Sequence, residues 1–511
     1  MRLTQRLAQI GQGLSRRPQP KSRMPFGEFL PDLPDFGNPG LTKAENCMPH
    51  MNGYKQFPGL TAVSTALDNP CQGAIAALAK DGNTAYYAGD SAKLYGLENT
   101  VWTDYSKAGG YACPADDVWE FARGQNDSMI AVNIADEMQK ITLGGTTFSD
   151  LATSTLKPKA RHIGTVRQFP VIGNVSEGGV VYPNRLRWSN IDSDADWDQN
   201  AATQSDFQDL DGPGGWIQNI VGGEYGIIFQ EKAIWRMSYE GTPTIFRFDE
   251  IERNRGAWAK NSVVRYGRLV FYLSEDGFYV TNGNESQPIG ANKVDLFFFN
   301  ELDETYKSRI QGALDLRNRN VVWTYTTTNS AGNGDPDKMI IYNWPTSRWS
   351  TVDLDTQCLF STLTEGYTLD GLDDVSTNID SLAVSLDSRI WTGGNPQFSA
   401  FNRSNILAHF NATALDAVFE TGEQEHAPGQ FYRTNSVRPL INGTSAVITA
   451  RVSGRSIQNE APKFSSYAAI NANGEVPVRV EDRYHKIGVK VTGGFDEAIA
   501  VEIEGTPRGW Q

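Results

Sequence analysis

Five times along this chain a short apolar run meets a tight polar turn and is followed by a second run carrying aromatic or β-branched residues. The five stretches are AALAKDGNTAYYAGD, IAVNIADEMQKITL, IIFQEKAIWRMS, VFYLSEDGFYVTNG and LAVSLDSRIWTGG. Period-two alternation on either side of a turn rich in Asp, Asn and Gly is the pattern of a β-hairpin, and helical periodicity is absent from most windows. The stretch NELDETYKSRIQGAL, at 300–314, is one of the few that looks helical.

The spacing of these hairpins says more than their number. Their turn acids, Asp81, Asp136, Glu231, Asp276 and Asp387, stand 55, 95, 45 and 111 residues apart, so the two long gaps are about twice the short ones. Each long gap holds a further strand pair, TVRQFPVIGNV…VVYPNRLRWSN at 165–190 and NVVWTYTTT…KMIIYNWPTSRWSTV at 320–352. A repeat averaging about 50 residues suits four-stranded blades with insertions. The chain is therefore expected to be all-β: a β-propeller of about seven blades over 61–411, with six or eight as the neighbouring counts. Radial repetition would also leave only short, protected strand edges. Residues 1–60 read as an extended arm, basic and then Pro-rich. Residues 412–511 read as a C-terminal antiparallel β-sheet or sandwich, whose strands could instead supply the closing blade.

Charge narrows the partners. With 60 acidic against 46 basic side chains the chain carries a formal charge of −14, which opposes gripping a nucleic acid through the whole surface. Cys47, Cys71, Cys113 and Cys358 have neither C-x-x-C spacing nor the density of a disulfide framework. No 18-residue apolar stretch occurs, so no membrane span is expected. The N-terminus carries Arg2, Arg6, Arg16, Arg17, Lys21 and Arg23 with no acid before Glu28 and no apolar run behind them. It does not read as a secretory signal; it is either a solvated end or a docking arm that orders on a partner.

The acidic stretch WSNIDSDADWD, 188–198, is the sharpest local motif. A calcium loop starting at Asp192 needs Gly in its sixth place and Glu in its twelfth, and here those are Trp197 and Thr203. Consecutive acids on one turn do not make the facing carboxylate pair of a glycosidase either. The remaining reading is a turn whose Asp side chains cap backbone N–H groups while Trp188 and Trp197 anchor it. His50, His162, His409, His426 and His485 lack metal-ligand spacing, and no nucleophile elbow or phosphate loop appears. LSEDGFYV, with Ser274, Asp276 and Gly277, has the form of the structural Asp-box turn of sialidase propellers without its usual Trp. No catalytic, cofactor-binding or metal-binding residue is assigned.

Several segments in fixed order carry a wider resemblance. FLPDLPDFGNPGLTKAENCMPHMNGYKQFPGL at 29–60, the WSNIDSDADW loop, LSEDGFY, and the block from GQFYRTNSVRPLING through RVEDRYHKIGVKVTGGFDEAIAVEIEGTPRG resemble the tail nozzle (tail hub) proteins of short-tailed bacteriophages. The resemblance covers most of the chain from about residue 29. It implies a structural virion protein of the tail, six copies forming a ring below the portal and adaptor, with tail fibres or spikes attached. Genomic DNA would pass through the lumen without sequence-specific binding. On that reading, acidic turns would line or gate the lumen and keep DNA from adhering: Asp192, Asp194, Asp196, Asp198, Asp206, Asp209, Asp211, Asp370, Asp373 and Asp374. The loops 190–215 and 328–338 have the length to cross a bore. The competing classes are a glycan-binding or glycan-cleaving propeller and a peptide-binding scaffold propeller, the second lacking WD or kelch signatures.

Overall fold

The computed structural model describes residues 21–80, 82–330, 334–364 and 394–509. The chain divides into two compact units, one of Pro58–Ser347 with Thr351–Ala412, the other of the N-terminal segment to Phe57, Arg348–Ser350 and the segment from Thr413.

The first unit is a seven-bladed β-propeller. Its four-stranded antiparallel sheets span 73–104, 120–150, 159–209, 217–253, 264–288 and 311–353, and the seventh combines Cys358–Leu363, Pro396–Phe401 and Ile406–Ala414 with Pro58–Ala66. The first strands of successive blades pack side by side, except that the 3-10 turn Lys260–Ser262 takes that place against the first strand of blade 4, and the first strand of blade 7, Cys358–Leu363, returns to that of blade 1, Gly73–Leu78. These strands form the wall around the axis. Hydrophobic clusters fill the wedges between successive blades. One joins Tyr87, Leu94 and Tyr105 of blade 1 to Met129 and Ile141 of blade 2, and another joins Ile130 and Val132 of blade 2 to Ile163, Ile172 and Trp197 of blade 3. Alternation explains this economy: each strand gives one side chain in two to each neighbouring blade.

The five hairpins fall on this frame unevenly. The first is the turn between strands one and two of blade 1, whereas those at Asp136, Glu231 and Asp276 join strands two and three of blades 2, 4 and 5. The hairpin at Asp387 lies outside the described residues. The helix-like stretch at 300–314 resolves into an α-helix, Asp295–Glu301, a 3-10 turn, Glu304–Arg309, and the first strand of blade 6, Gln311–Asp315. The strand takes over where the wall needs close approach: a Cβ on Gly312 would stand 2.4 Å from Val264 Cγ2.

The second unit is a β-sandwich. One sheet orders Cys47–His50, Gly53–Gln56, Glu497–Arg508, Phe431–Asn442 and Val476–Asp482, with Lys21–Pro25 also paired to Glu497–Arg508. The other contains Leu41–Glu45, Ala417–Thr421, Tyr484–Thr492 and Val447–Arg455 in that order. The sheets meet through Phe419, whose ring stacks on Phe26 at 5.0 Å and lies 5.7 Å from Tyr54. The C-terminal strands form a sandwich as expected; they do not supply the closing blade, which is completed by Pro58–Ala66. The reading that changes is that of the N-terminal arm. The extended Pro-rich segment, across residues 21–57, is zipped along its own chain.

Candidate functional site: the axial cavity

The first strands of the blades enclose a cavity of about 480 Å³. Its lining comes from every blade, among it Gln72, Asp117, Ile163, Asn219, Asn261, Gln311 and Gln357. Most of these residues sit just before or at the start of a first strand, where the chain has crossed from the outer edge of one blade to the axis.

The charged centre is Asp117, whose side chain is 1% exposed. Arg161 of blade 3 reaches one carboxylate oxygen at 2.8 Å and Lys260, ahead of blade 5, reaches the other at 2.7 Å. Lys260 Nζ also donates to the Asp116 carbonyl at 2.7 Å. Blades 2 and 5 stand on opposite sides of a seven-membered ring, so this bond spans the axis. Burial makes the trio interdependent: removing one partner of a buried pair leaves a charge without compensation, at a cost of about 3–5 kcal/mol.

Amides and backbone groups complete the circle, with at least one bond at each joint. Gln72 donates to the Asp117 carbonyl at 3.1 Å, and His162 meets Glu120 at 2.7 Å. The Gly223 N–H donates to Thr165 O at 2.9 Å between blades 3 and 4. Asn219 donates to Lys260 O at 3.2 Å, and the Trp323 indole donates to Ser262 O at 2.8 Å. Gln311 bonds both backbone groups of Leu359 at 3.0 Å, and the Cys71 N–H donates to Gln357 Oε1 at 3.2 Å, closing blade 7 on blade 1. Arg309 is paired with Asp335 at 3.0 Å. Chemically this is a set of ties: Asp117, Glu120 and Asp335 each face a partner, and the lining aromatic Trp119 is itself buried with its indole donating to Asp90 O at 2.9 Å. Among the described residues no group of three or more His, Cys, Asp or Glu is placed to hold a metal ion.

The residues singled out in the sequence lie elsewhere. The stretch 189–205 links strands three and four of blade 3, and meander topology puts such links on the rim opposite the one where chains cross between blades. Asp194 is buried, accepts the Gln125 N–H at 2.9 Å and holds Lys140 Nζ at 2.7 Å, both on blade 2. Asp198 accepts the Leu156 and Thr155 N–H groups at 2.8 and 3.0 Å, and those bonds hold its carboxyl below the usual range. Asp196 accepts the Asp198 N–H at 3.2 Å, and Trp197, fully buried, donates to Asp194 O at 2.9 Å. The loop is thus a wedge pinned between blades 2 and 3, and to move as a gate it would have to break these bonds. Asp192 is exposed. Asp206 accepts from Gln199 at 2.8 Å, Asp209 is held by Arg185 at 2.7 and 2.8 Å, and Asp211 accepts from Asn184 at 2.6 Å. Asp370, Asp373 and Asp374 lie outside the described residues, as do Arg2, Arg6, Arg16 and Arg17. Lys21 begins the strand paired to Glu497–Arg508, and Arg23 on that strand is exposed. Part of the second loop, 331–333, is likewise outside them; its flanks are tied by Thr326 to Gly334 O at 2.9 Å and by Thr327 to Asp337 at 2.7 Å.

Asp117, Arg161 and Lys260 escaped the sequence reading because their partners are 44 and 143 residues apart. The usable signal was positional: Asp117 and Lys260 stand just ahead of the first strand of a repeat, and Arg161 stands within one. Among the described residues no helix is long and apolar enough to cross a membrane.

No family model matches this chain, and neither does any curated protein. Among solved structures, one similar chain is BBS1N, from a crystal structure of BBS1N in complex with ARL6DN soaked with lead. It aligns with 10% sequence identity over 71% of this chain and 99% of that one, at a TM-score of 0.37.

Proposed function

We propose that this chain is a structural subunit of the tail nozzle of a short-tailed bacteriophage virion, built as a ring of six copies beneath the portal and adaptor rings. It catalyses no reaction; it retains and then guides genomic DNA and offers attachment to fibres or spikes. The observation that carries most weight is the closed axis. A propeller whose centre is crossed by the Lys260–Asp117 bond and tied at every joint is a rigid block, and a conduit for duplex DNA then runs between copies. The ordered sequence resemblance supplies the identity of the assembly. A ring of this kind uses head-to-tail contacts between unlike faces. The first 20 residues, with Arg2, Arg6, Arg16 and Arg17, are the segment proposed to dock on the ring above.

The test is the mass and symmetry of the purified chain, alone and mixed with portal and adaptor rings. Six-fold rings with an open centre support the proposal; a chain that stays monomeric on those templates overturns it. Release of new reducing ends from a capsular polysaccharide would favour the glycan-cleaving alternative.

A further inference from the structure

Two of the four cysteines meet where the propeller closes on itself. Cys71 leads into the first strand of blade 1 and Cys358 opens the first strand of blade 7. Both line the axial cavity and belong to one hydrophobic cluster with Tyr86, Phe360 and Phe401. The Cys71 N–H donates to Gln357, the neighbour of Cys358, at 3.2 Å, and the Cys71 thiol donates to Gly73 O at 3.5 Å. The Cys358 sulfur accepts from Gln311 Nε2 at 3.5 Å. We propose that Cys71 and Cys358 form a reactive dithiol that a small disulfide entering the axial cavity converts to an intramolecular disulfide, locking blade 7 to blade 1.

Buried thiols more often pack as small apolar groups, and Cys47 and Cys113 provide that contrast within the same chain. Burial pushes both of those thiols up. Within the pair the neighbouring Cys71 lowers the Cys358 thiol, while burial raises that of Cys71. This makes Cys358 the attacking sulfur. Its thiolate displaces one thiolate from the small disulfide, RSSR, giving a mixed disulfide. Cys71 then loses its proton, attacks the Cys358 sulfur and expels the second thiolate. Two protein S–H bonds and one S–S bond are consumed; one protein S–S bond and two RSH form. The bond would enclose a loop about as long as the 286 residues separating Cys71 from Gln357, so it constrains the unfolded chain strongly.

The inference concerns the closure of the propeller and does not rest on the tail reading. The full chain, purified reduced, is incubated with hydroxyethyl disulfide, capped with iodoacetamide in denaturant, digested and examined by mass spectrometry. The expected product is a peptide pair linking Cys71 to Cys358, with Cys47 and Cys113 still alkylated, faster migration on a non-reducing gel, and a rise in Tm of about 5–10 °C. Cys71→Ser and Cys358→Ser should each abolish the linked peptide and the rise. Complete alkylation of all four cysteines after long incubation overturns the proposal. So does a Cys358 adduct with the small thiol that never resolves, since the two sulfurs then cannot reach one another. The result on the wild-type chain is sufficient even if a serine variant fails to fold.

Discussion

The propeller and the sandwich are both antiparallel β-structure and both pair the charges they bury, as Glu423 of the sandwich is paired with Arg455, yet the sandwich also encloses two adjoining histidines. In the propeller, charge taken into the interior is matched: Asp117 by Arg161 and Lys260, Asp194 by Lys140, and Arg187 by Glu177 at 2.7 Å. In the sandwich, His426 and His485 lie with ring centroids 5.6 Å apart beside Tyr432, and burial pushes each down to about 4. Both units keep their buried ions paired, and the sandwich must in addition keep two adjoining histidines neutral.

That contrast can be broken in three ways. Trp197→Ala should be the costliest single substitution, at about 4 kcal/mol, because it empties a fully buried site and unpins the wedge between blades 2 and 3. Hydrogen exchange should accelerate in peptides from 128–200 and stay unchanged in peptides from 431–505. Equal acceleration in both would mean the two units do not fail separately.

Acid comes next and should act on the sandwich. A histidine held near 4 when folded and near 6.5 when unfolded takes up its proton in the unfolded chain first. Stability from this source is therefore full above about pH 6.5 and falls as pH drops toward 4, by roughly 3 kcal/mol per histidine. Urea midpoints between pH 7 and pH 4.5 should decline less steeply for His485→Phe than for the natural chain. Parallel declines would place the acid sensitivity elsewhere.

The smallest of the three effects belongs to Asp117→Asn, which keeps the shape and removes the charge between Arg161 and Lys260. A loss of about 3 kcal/mol, the lower end of the cost of unpairing a buried charge, is expected, confined to the propeller and only slightly relieved by added salt, since the trio is screened poorly when buried. A variant as stable as the natural chain would show that the axial bond is a bystander.

The blades were readable because alternation and turn chemistry are local: VFYLSEDGFYVTNG states its own hairpin, with Ser274 pairing Gly277 as the turn requires. The spacing of such units carried the count of seven. What could not be read was long-range. Nothing near Pro58–Ala66 says that it will complete a sheet begun at Cys358, and nothing in 21–57 names Glu497–Arg508 as its partner. The acidic stretch was readable as a turn with caps at Asp196, which accepts the N–H two residues on, but not at Asp198, whose partners Thr155 and Leu156 lie 43 and 42 residues away. That Asp194 would reach Lys140 of another blade was not readable either, because the pairing depends on how two repeats are juxtaposed.

The closing strand has a consequence for how the chain comes into being. Ser64, which accepts the Leu407 N–H, precedes it by 343 residues. At about 5–20 residues per second, the ribosome takes roughly 20–70 s to deliver the mate of a strand that is already waiting. During that interval the strand presents open hydrogen-bonding groups to any other nascent copy nearby. Crowded polysomes would therefore favour exchange of Pro58–Ala66 between molecules, and dilute synthesis would favour closure within one.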